Sequence, residues 1–159
     1  DYEAFRAGFT TSNCVIAPNF AIGAILMMRF AEMAAPYFET AEIIELHHDQ
    51  KLDAPSGTAM LTLGRVAGVA TEGRRAPAAD VGTLAPGGGE GAADIPVHSV
   101  RLRGMVAHQE VLLGTTGQSL SIRHDSYDRT SFMPGVLLAV KAVADRPGVT
   151  IGLDALLGF

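Results

Sequence analysis

At 159 residues, with 48% hydrophobic and 18% charged side chains, the sequence has the length of one domain, or of one domain plus part of another, and a composition that buries a core rather than staying disordered. Its 12 basic residues against 17 acidic ones leave a net charge of −5, which argues against broad electrostatic binding to nucleic acid or to an anionic membrane. The one cysteine, Cys14, excludes an internal disulfide framework and a multi-cysteine zinc site, and fits a reducing, cytoplasmic compartment.

The opening Asp1-Tyr2-Glu3-Ala4-Phe5-Arg6 has neither an initiator methionine nor a basic-then-apolar leader, and it reads as the interior of a longer fold. Val15-Ile16-Ala17 predicts a short buried strand ending at Pro18. A helix is expected over Phe20–Ala35, with Asn19 as its N-cap and Pro36 as its stop. The apolar run Ala21–Met28 within it falls well short of the ~20 residues of a membrane-spanning helix. Ile43-Ile44-Glu45-Leu46-His47-His48 predicts a second strand, and the polar loop Asp49-Gln50-Lys51-Leu52-Asp53 leads into a second helix opened by Pro55-Ser56-Gly57-Thr58, with Ala59, Leu63, Val66 and Ala70 on one face. From Thr71 to Pro96 periodicity vanishes, and Gly87-Gly88-Gly89 with Pro86 and Pro96 predicts a mobile surface loop. Val97–Arg103, His108–Thr115 and Ser119–Asp125 read as three strands, with Gly104 and Gly117 placed for hairpin turns, so an antiparallel meander is expected. A last helix over Ser131–Ala144 stops at Pro147-Gly148, and Val149–Leu153 reads as a terminal strand.

Chemistry concentrates between Glu45 and Thr58. A strand there runs into a helix through two histidines and a lysine, at the kind of strand end where open sheets bind ligands. The unpaired N–H groups of a helix start and its positive dipole end favour an anion. Gly57 would let that backbone approach a ligand, the Ser56 and Thr58 hydroxyls add donors, and Lys51 adds a charge. Together they suit a carboxylate or a phosphate. Proton transfer falls to His47, whose reference pKa of ~6.5 lies near neutrality. His47 and His48 would point to opposite faces of a continuing strand, so a shared role requires the strand to end there. The competing reading is structural: Asp53 caps the second helix, Pro55 occupies its first turn, and the charges are a solvated face.

Other patterns carry less. The histidines at 47, 48, 98, 108 and 124 match no zinc spacing. Cys14, at an apolar strand start, reads as an inert thiol. Gly87-x-Gly89-x-x-Ala92 imitates a dinucleotide-binding loop but lacks the strand before it and the helix after it. Arg101 and Arg103 alternate with Val100 and Leu102 and read as one polar strand face.

The run Glu45-Leu46-His47-His48-Asp49-Gln50-Lys51-Leu52-Asp53-Ala54-Pro55-Ser56-Gly57-Thr58-Ala59 resembles the E-x-H-H-x-x-K-x-D-A-P-S-G-T-A signature of the bacterial dihydrodipicolinate (4-hydroxy-tetrahydrodipicolinate) reductases. Ala17-Pro18-Asn19-Phe20, Gly104–Gln109 and Arg129-Thr130-Ser131-Phe132 are similar too, so the resemblance covers nearly the whole sequence. It implies reduction of 4-hydroxy-tetrahydrodipicolinate to tetrahydrodipicolinate with NADH or NADPH, in lysine and diaminopimelate biosynthesis. It implies His47 as the acid/base, Lys51 as proton donor or charge partner, and His48, Ser56, Gly57 and Thr58 as substrate contacts. Ala17, Pro18, Asn19 and Phe20 would lie at the nicotinamide end of the cofactor. It further implies a homotetramer; the histidine spacing gives no reason to expect a metal.

The sequence departs from the family at its N-terminus, where the strand, Gly-rich phosphate loop and helix that bind the nucleotide are missing. The expected architecture is therefore α+β: a mixed, mainly antiparallel sheet of about four strands with helices on one face, and remnants of a Rossmann-like cofactor domain at both ends. Residues 1–18 would be the end of the cofactor-binding half, 19–129 the substrate-binding and oligomerisation domain, and 130–159 the segment that packs back on the cofactor half. Alone, such a chain should be nearly silent as a catalyst. Two rival readings are a non-catalytic oligomerisation or dicarboxylate-binding module and a different nicotinamide enzyme such as an amino-acid dehydrogenase.

Overall fold

A computed structural model describes residues 2–69 and 95–159. The expected loop over 71–94, its Gly87-x-Gly89-x-x-Ala92 pattern and the helix position Ala70 lie outside the described residues. In chain order the elements are α1 (Tyr2–Ala7), β1 (Cys14–Ile16), α2 (Ile22–Ala34), β2 (Thr40–His47), α3 (Gly57–Gly68), β3 (Val97–Arg101), β4 (Ala107–Thr115), β5 (Gln118–Ser126), α4 (Met133–Ala142), β6 (Val149–Ile151) and α5 (Asp154–Leu157). Short 3-10 turns occupy Ala35–Tyr37, Arg129–Phe132 and Val143–Asp145. The chain divides into two units, one of residues 1–25 with 129–159 and one of residues 26–128.

The larger unit is built on a four-stranded mixed sheet in the order β3-β2-β4-β5. β2 pairs with β3 in parallel and with β4 antiparallel, and β4 and β5 form a hairpin. The α+β class and the mainly antiparallel four-stranded sheet are as expected, but the meander is not. β3 and β4 flank β2 instead of pairing with each other, so Leu102–Val106 is a crossing over the end of β2, where the Leu102 N–H donates to the His47 carbonyl (3.0 Å). The reason lies in β2 itself. Its alternate positions Ala41 and Ile43 are buried, and Ile44 and Leu46 on the opposite face are half-buried; such a strand takes a partner on each edge, outweighing the local preference for a tight hairpin. Gly104, with φ +93°, belongs to this crossing, and only Gly117, with φ +80°, makes a hairpin turn.

Paired residues share a face, so Ile43, Val97 and Val111, all fully buried, meet across three strands. Ala59, Leu63 and Val66 of α3 and Ala31 and Ala35 pack on them. Period-3.6 apolar positions on α3 thus meet period-2 positions on the sheet, which is the packing the pattern predicts. Ile95 and Pro96, expected within the surface loop, are instead buried, and the Pro96 carbonyl accepts from the Ile43 N–H at 2.9 Å.

In the smaller unit β1 and β6 form a parallel pair in which Cys14 faces Val149 and Ile16 faces Ile151. The Asn13 side-chain amide closes it by donating to the Val143 and Ala144 carbonyls, both at 2.9 Å. α4 makes its closest approach at Gly135, where an added Cβ would lie 2.0 Å from the Phe20 carbonyl oxygen and 3.0 Å from Leu153 Cδ1.

Because that clash is with backbone, Gly135→Ala should lower stability by ~3 kcal/mol or more. At Gly64, an exposed α3 position with nothing within 4 Å of an added Cβ, alanine should stabilise by roughly 0.5–1 kcal/mol. Urea unfolding of both variants checks the pair; an unchanged midpoint for Gly135→Ala would contradict the packing described for α4.

Candidate active site

Strand alternation puts Glu45 and His47 on one face of β2, and β3 lies in register so that Ser99 faces Glu45 and Arg101 faces His47. The Glu45 side chain is completely buried, whereas His47 and Arg101 retain 14% and 18% exposure. The Glu45 carboxylate is the hub. His47 Nδ1 bonds to its Oε2. Arg101 grips it with both terminal nitrogens, Nη1 to Oε2 at 3.0 Å and Nη2 to Oε1 at 2.8 Å. The Ser56 N–H donates to Oε1 at 3.3 Å.

The strand ends at His47, as a shared site for the two imidazoles requires. The chain turns at once, with the Lys51 N–H donating to the His48 carbonyl at 3.2 Å, and leaves His48 exposed. Lys51 Nζ lies on both oxygens of Asp53, at 2.7 and 2.9 Å. α3 is capped by Ser56, whose Oγ accepts from the Ala59 N–H at 3.2 Å, and not by Asp53. Asp53 engages Lys51 with its side chain and Arg101 with its backbone carbonyl, and Pro55 precedes the cap rather than lying in the first turn. The correction has a simple cause: a cap residue serves the N–H two or three positions on, and Ser56 holds that position before Gly57.

Gly57 is exposed at the head of α3, with open space where a Cβ would lie. The carbonyl of Thr58 accepts from Thr62 Oγ1 at 2.8 Å, and Thr62 in turn accepts from buried Gln109 at 2.7 Å, which fastens the helix start to β4. Of the residues singled out by sequence, His47 and Ser56 therefore converge on one carboxylate, Gly57 and Thr58 follow Ser56, and Lys51 is held by Asp53. Ala17, Pro18, Asn19 and Phe20 belong to the smaller unit, between β1 and α2, where Asn19 Oδ1 accepts from the Ala21 N–H at 2.8 Å.

Sequence reasoning missed Glu45 and Arg101. The signal for Glu45 was its place in the buried alternation Ala41, Ile43, Glu45, where a carboxylate needs partners. Arg101 and Arg103 do not share a face as expected: β3 ends at Arg101, which is drawn inward, while the Arg103 side chain is 92% exposed beside Asp49. Two further histidines are engaged within the protein. His108 is satisfied on both ring nitrogens, by Asp125 at 2.7 Å and the Val106 N–H at 3.2 Å, and His98 pairs with Glu42 at 2.9 Å. Among the described residues no three His, Cys, Asp or Glu side chains gather to hold a metal ion, and no helix is long and apolar enough to cross a membrane.

Burial by itself would raise the Glu45 pKa. Hydrogen bonds from His47 and Arg101 and the His47 charge outweigh it, so the carboxyl is held at about 2 against an ordinary 4.5. The Asp53 carboxyl is also lowered, chiefly by the Lys51 hydrogen bond. The arrangement offers an imidazole with one nitrogen anchored, a helix start with an open approach, and a lysine on the loop between them: the parts for holding an anion and moving a proton.

Residues 23–157 match the family described as dihydrodipicolinate reductase, C-terminus. The chain is 62% identical over 159 residues to the 4-hydroxy-tetrahydrodipicolinate reductase of Mycobacterium ulcerans, covering 99% of this chain and 64% of that protein. To the reductase of the same name from Cutibacterium acnes it is 55% identical over 163 residues, covering 99% and 66%. It thus spans slightly less than two thirds of those relatives' length. Among solved structures it is similar to the dipicolinate-bound dihydrodipicolinate reductase of Paenisporosarcina sp. TG-14, with 47% identity and a TM-score of 0.73 over 91% of this chain and 54% of that one.

Glu45 titrates at a depressed value in the folded chain, so its contribution to stability is complete above pH 4.5 and is lost as pH falls from there towards 2. That loss should be on the order of 3 kcal/mol, measured as unfolding midpoints against pH. Arg101→Met strands the buried carboxylate and should cost about 3–5 kcal/mol near neutrality.

Proposed function

We propose that this chain, which belongs to the dihydrodipicolinate reductase family, supplies the substrate-binding and proton-transfer part of the NAD(P)H-dependent reduction of 4-hydroxy-tetrahydrodipicolinate to tetrahydrodipicolinate, in lysine and diaminopimelate biosynthesis. One observation carries the reading: an imidazole and a helix start, His47 and Ser56, are bound to the two oxygens of one buried carboxylate, so a dianionic ring held at the head of α3 comes beside a proton carrier. One relative of known structure is dipicolinate-bound, and dipicolinate has the two carboxylates and planar ring expected of such a ligand.

The division of labour follows. The Gly57 and Thr58 end of α3 binds one substrate carboxylate, with Ser56 fixing the start of the helix. Lys51 and exposed His48 serve the remaining negative charge, Lys51 exchanging Asp53 for the ligand. Hydride addition at one ring carbon pushes the displaced π electrons through the conjugated system, and a proton from the His47–Lys51 side is taken up at its other end; the loss of the 4-hydroxyl as water likewise needs a proton donor. These contacts act mainly in the transition state and so bear on turnover more than on affinity.

NADH or NADPH supplies the hydride. Ala17, Pro18, Asn19 and Phe20 suit its nicotinamide end, because they leave the carboxyl end of β1 in a parallel pair, the edge at which α/β sheets hold ligands. α4 exposes Met133, Leu137 and Val140, at 49%, 51% and 63%, at i, i+4 and i+7. This apolar stripe supports the reading that residues 130–159 pack on a nucleotide-binding half and that residues 1–18 end it. Half-buried Ile44, Leu46, Val100 and Leu112 on the sheet face opposite α3 support a homotetramer joined through its sheets. The protein would work in the cytoplasm, on a small dicarboxylate, without a metal, nucleic acid or membrane partner.

Titration calorimetry of the chain with pyridine-2,6-dicarboxylate should give one site, and the complete gene product should oxidise NADPH or NADH only with substrate present. Binding without turnover in the complete product would favour the dicarboxylate-binding module instead. His47→Ala should lower kcat by roughly 10²-fold or more while leaving KM nearly unchanged; wild-type kcat would refute the proton-transfer role.

A further inference from the structure

We propose that Glu45 is the positioning residue of His47, holding its ring in the Nδ1–H tautomer with Nε2 as the working nitrogen, and that Arg101 is the clamp that fixes Glu45 for this task. The inference rests on the reading of His47 as the acid/base.

The donor–acceptor inventory carries it. An ionised carboxylate only accepts, so the nitrogen of His47 that meets Glu45 must carry the hydrogen, and the neutral ring then has its lone pair on Nε2. Nε2 has no hydrogen-bond partner among the described residues, and the ring keeps its 14% exposure. His108 shows the contrast within the same sheet: both of its nitrogens are occupied by the protein, which leaves none to exchange a proton. His98 also anchors one nitrogen, on Glu42, but that carboxylate is 39% exposed, whereas the one that anchors His47 is fully buried.

Glu45 can impose a tautomer only if it neither rotates nor accepts the proton itself. Its burial and the two-nitrogen grip of Arg101 meet both conditions. Arg101 also donates to the Asp53 carbonyl, so one side chain holds the carboxylate and the loop that carries Lys51. The Ser56 N–H on Oε1 fixes the remaining direction. A glutamine at 45 would lose this control, because its side chain can either accept from or donate to Nδ1.

The test is the nitrogen-15 spectrum of the His47 ring in the protein with uniformly labelled histidine. Wild type should show a protonated Nδ1 and a pyridine-type Nε2 in the neutral ring. Glu45→Gln should give a mixture of tautomers and lower kcat by roughly 10²-fold, with KM moved by no more than about twofold, and Glu45→Asp should recover part of both. A neutral wild-type ring protonated at Nε2 overturns the proposal with no variant needed, so it remains refutable even where Glu45→Gln does not fold. A folded Glu45→Gln with an unaltered tautomer and wild-type kcat overturns it equally. Failure here is separable from failure of the parent reading: an active His47→Ala removes the acid/base role, whereas an Nε2–H ring with an inactive His47→Ala removes only the role of Glu45.

Discussion

A carboxylate taken wholly out of water must find its partners inside the protein or lose its charge. Glu45 finds them on β2, on β3 and at the head of α3, and a carbonyl of the intervening loop is tied to the same arginine. Each of these pieces has its own reasons to fold, and the shared carboxylate is the one point at which all of them meet. The unusual strand order serves the same end. Had β3 folded back on β4 as a hairpin, Arg101 would stand one strand away from β2; the parallel pairing seats it opposite His47. The topology that looks like a departure from local preference is the one that gives the buried charge its counter-ion.

Along β2 the sheet passes from an apolar to a polar interior within two residues. The row through Ile43, Val97 and Val111 is closed hydrocarbon under α3, and the next row on that face brings Glu45, Ser99 and Gln109 together. The apolar row supplies the burial that makes the polar row's interactions strong. The polar row in turn directs the helix start: Gln109 reaches Thr62, Thr62 reaches the Thr58 carbonyl, and the first turn of α3 is thereby held from below. Stability and site geometry come from adjacent layers of one sheet, so changes in either are felt in both.

Much of this was legible in the sequence, and the limits have physical causes. The elements from β1 to β6, the strand-to-helix crossing at His47–Ser56 and the four-stranded α+β sheet follow from periodicity and helix-start chemistry, both of which are local; the short end helices α1 and α5 do not. The pairing of β2 with β3 is a contact between Glu45 and Ser99, far apart in the chain, and no nearby pattern announces it. Arg101 illustrates the same limit: alternation with Val100 and Leu102 made it look like a partner of Arg103, and only the end of β3 separates an inward arginine from an exposed one. The Glu45 carboxylate was visible as a charge at a buried position, but its meaning depended on that distant arginine. Asp53 and Ser56 were both credible caps by residue type, and geometry chose Ser56.

The β1–β6 pair has a consequence for how the polypeptide is born. Cys14 meets Val149, so on a ribosome β1 emerges long before its mate is translated, a delay on the order of ten seconds at common elongation rates of ~5–20 residues per second. The stretch between them, which includes the whole of the four-stranded sheet, has that interval in which to collapse first. Its bonding edge unmet, β1 waits through the same interval as an unpaired strand, the kind of segment that is prone to aggregate. Translation speed across the intervening codons thereby becomes a determinant of yield.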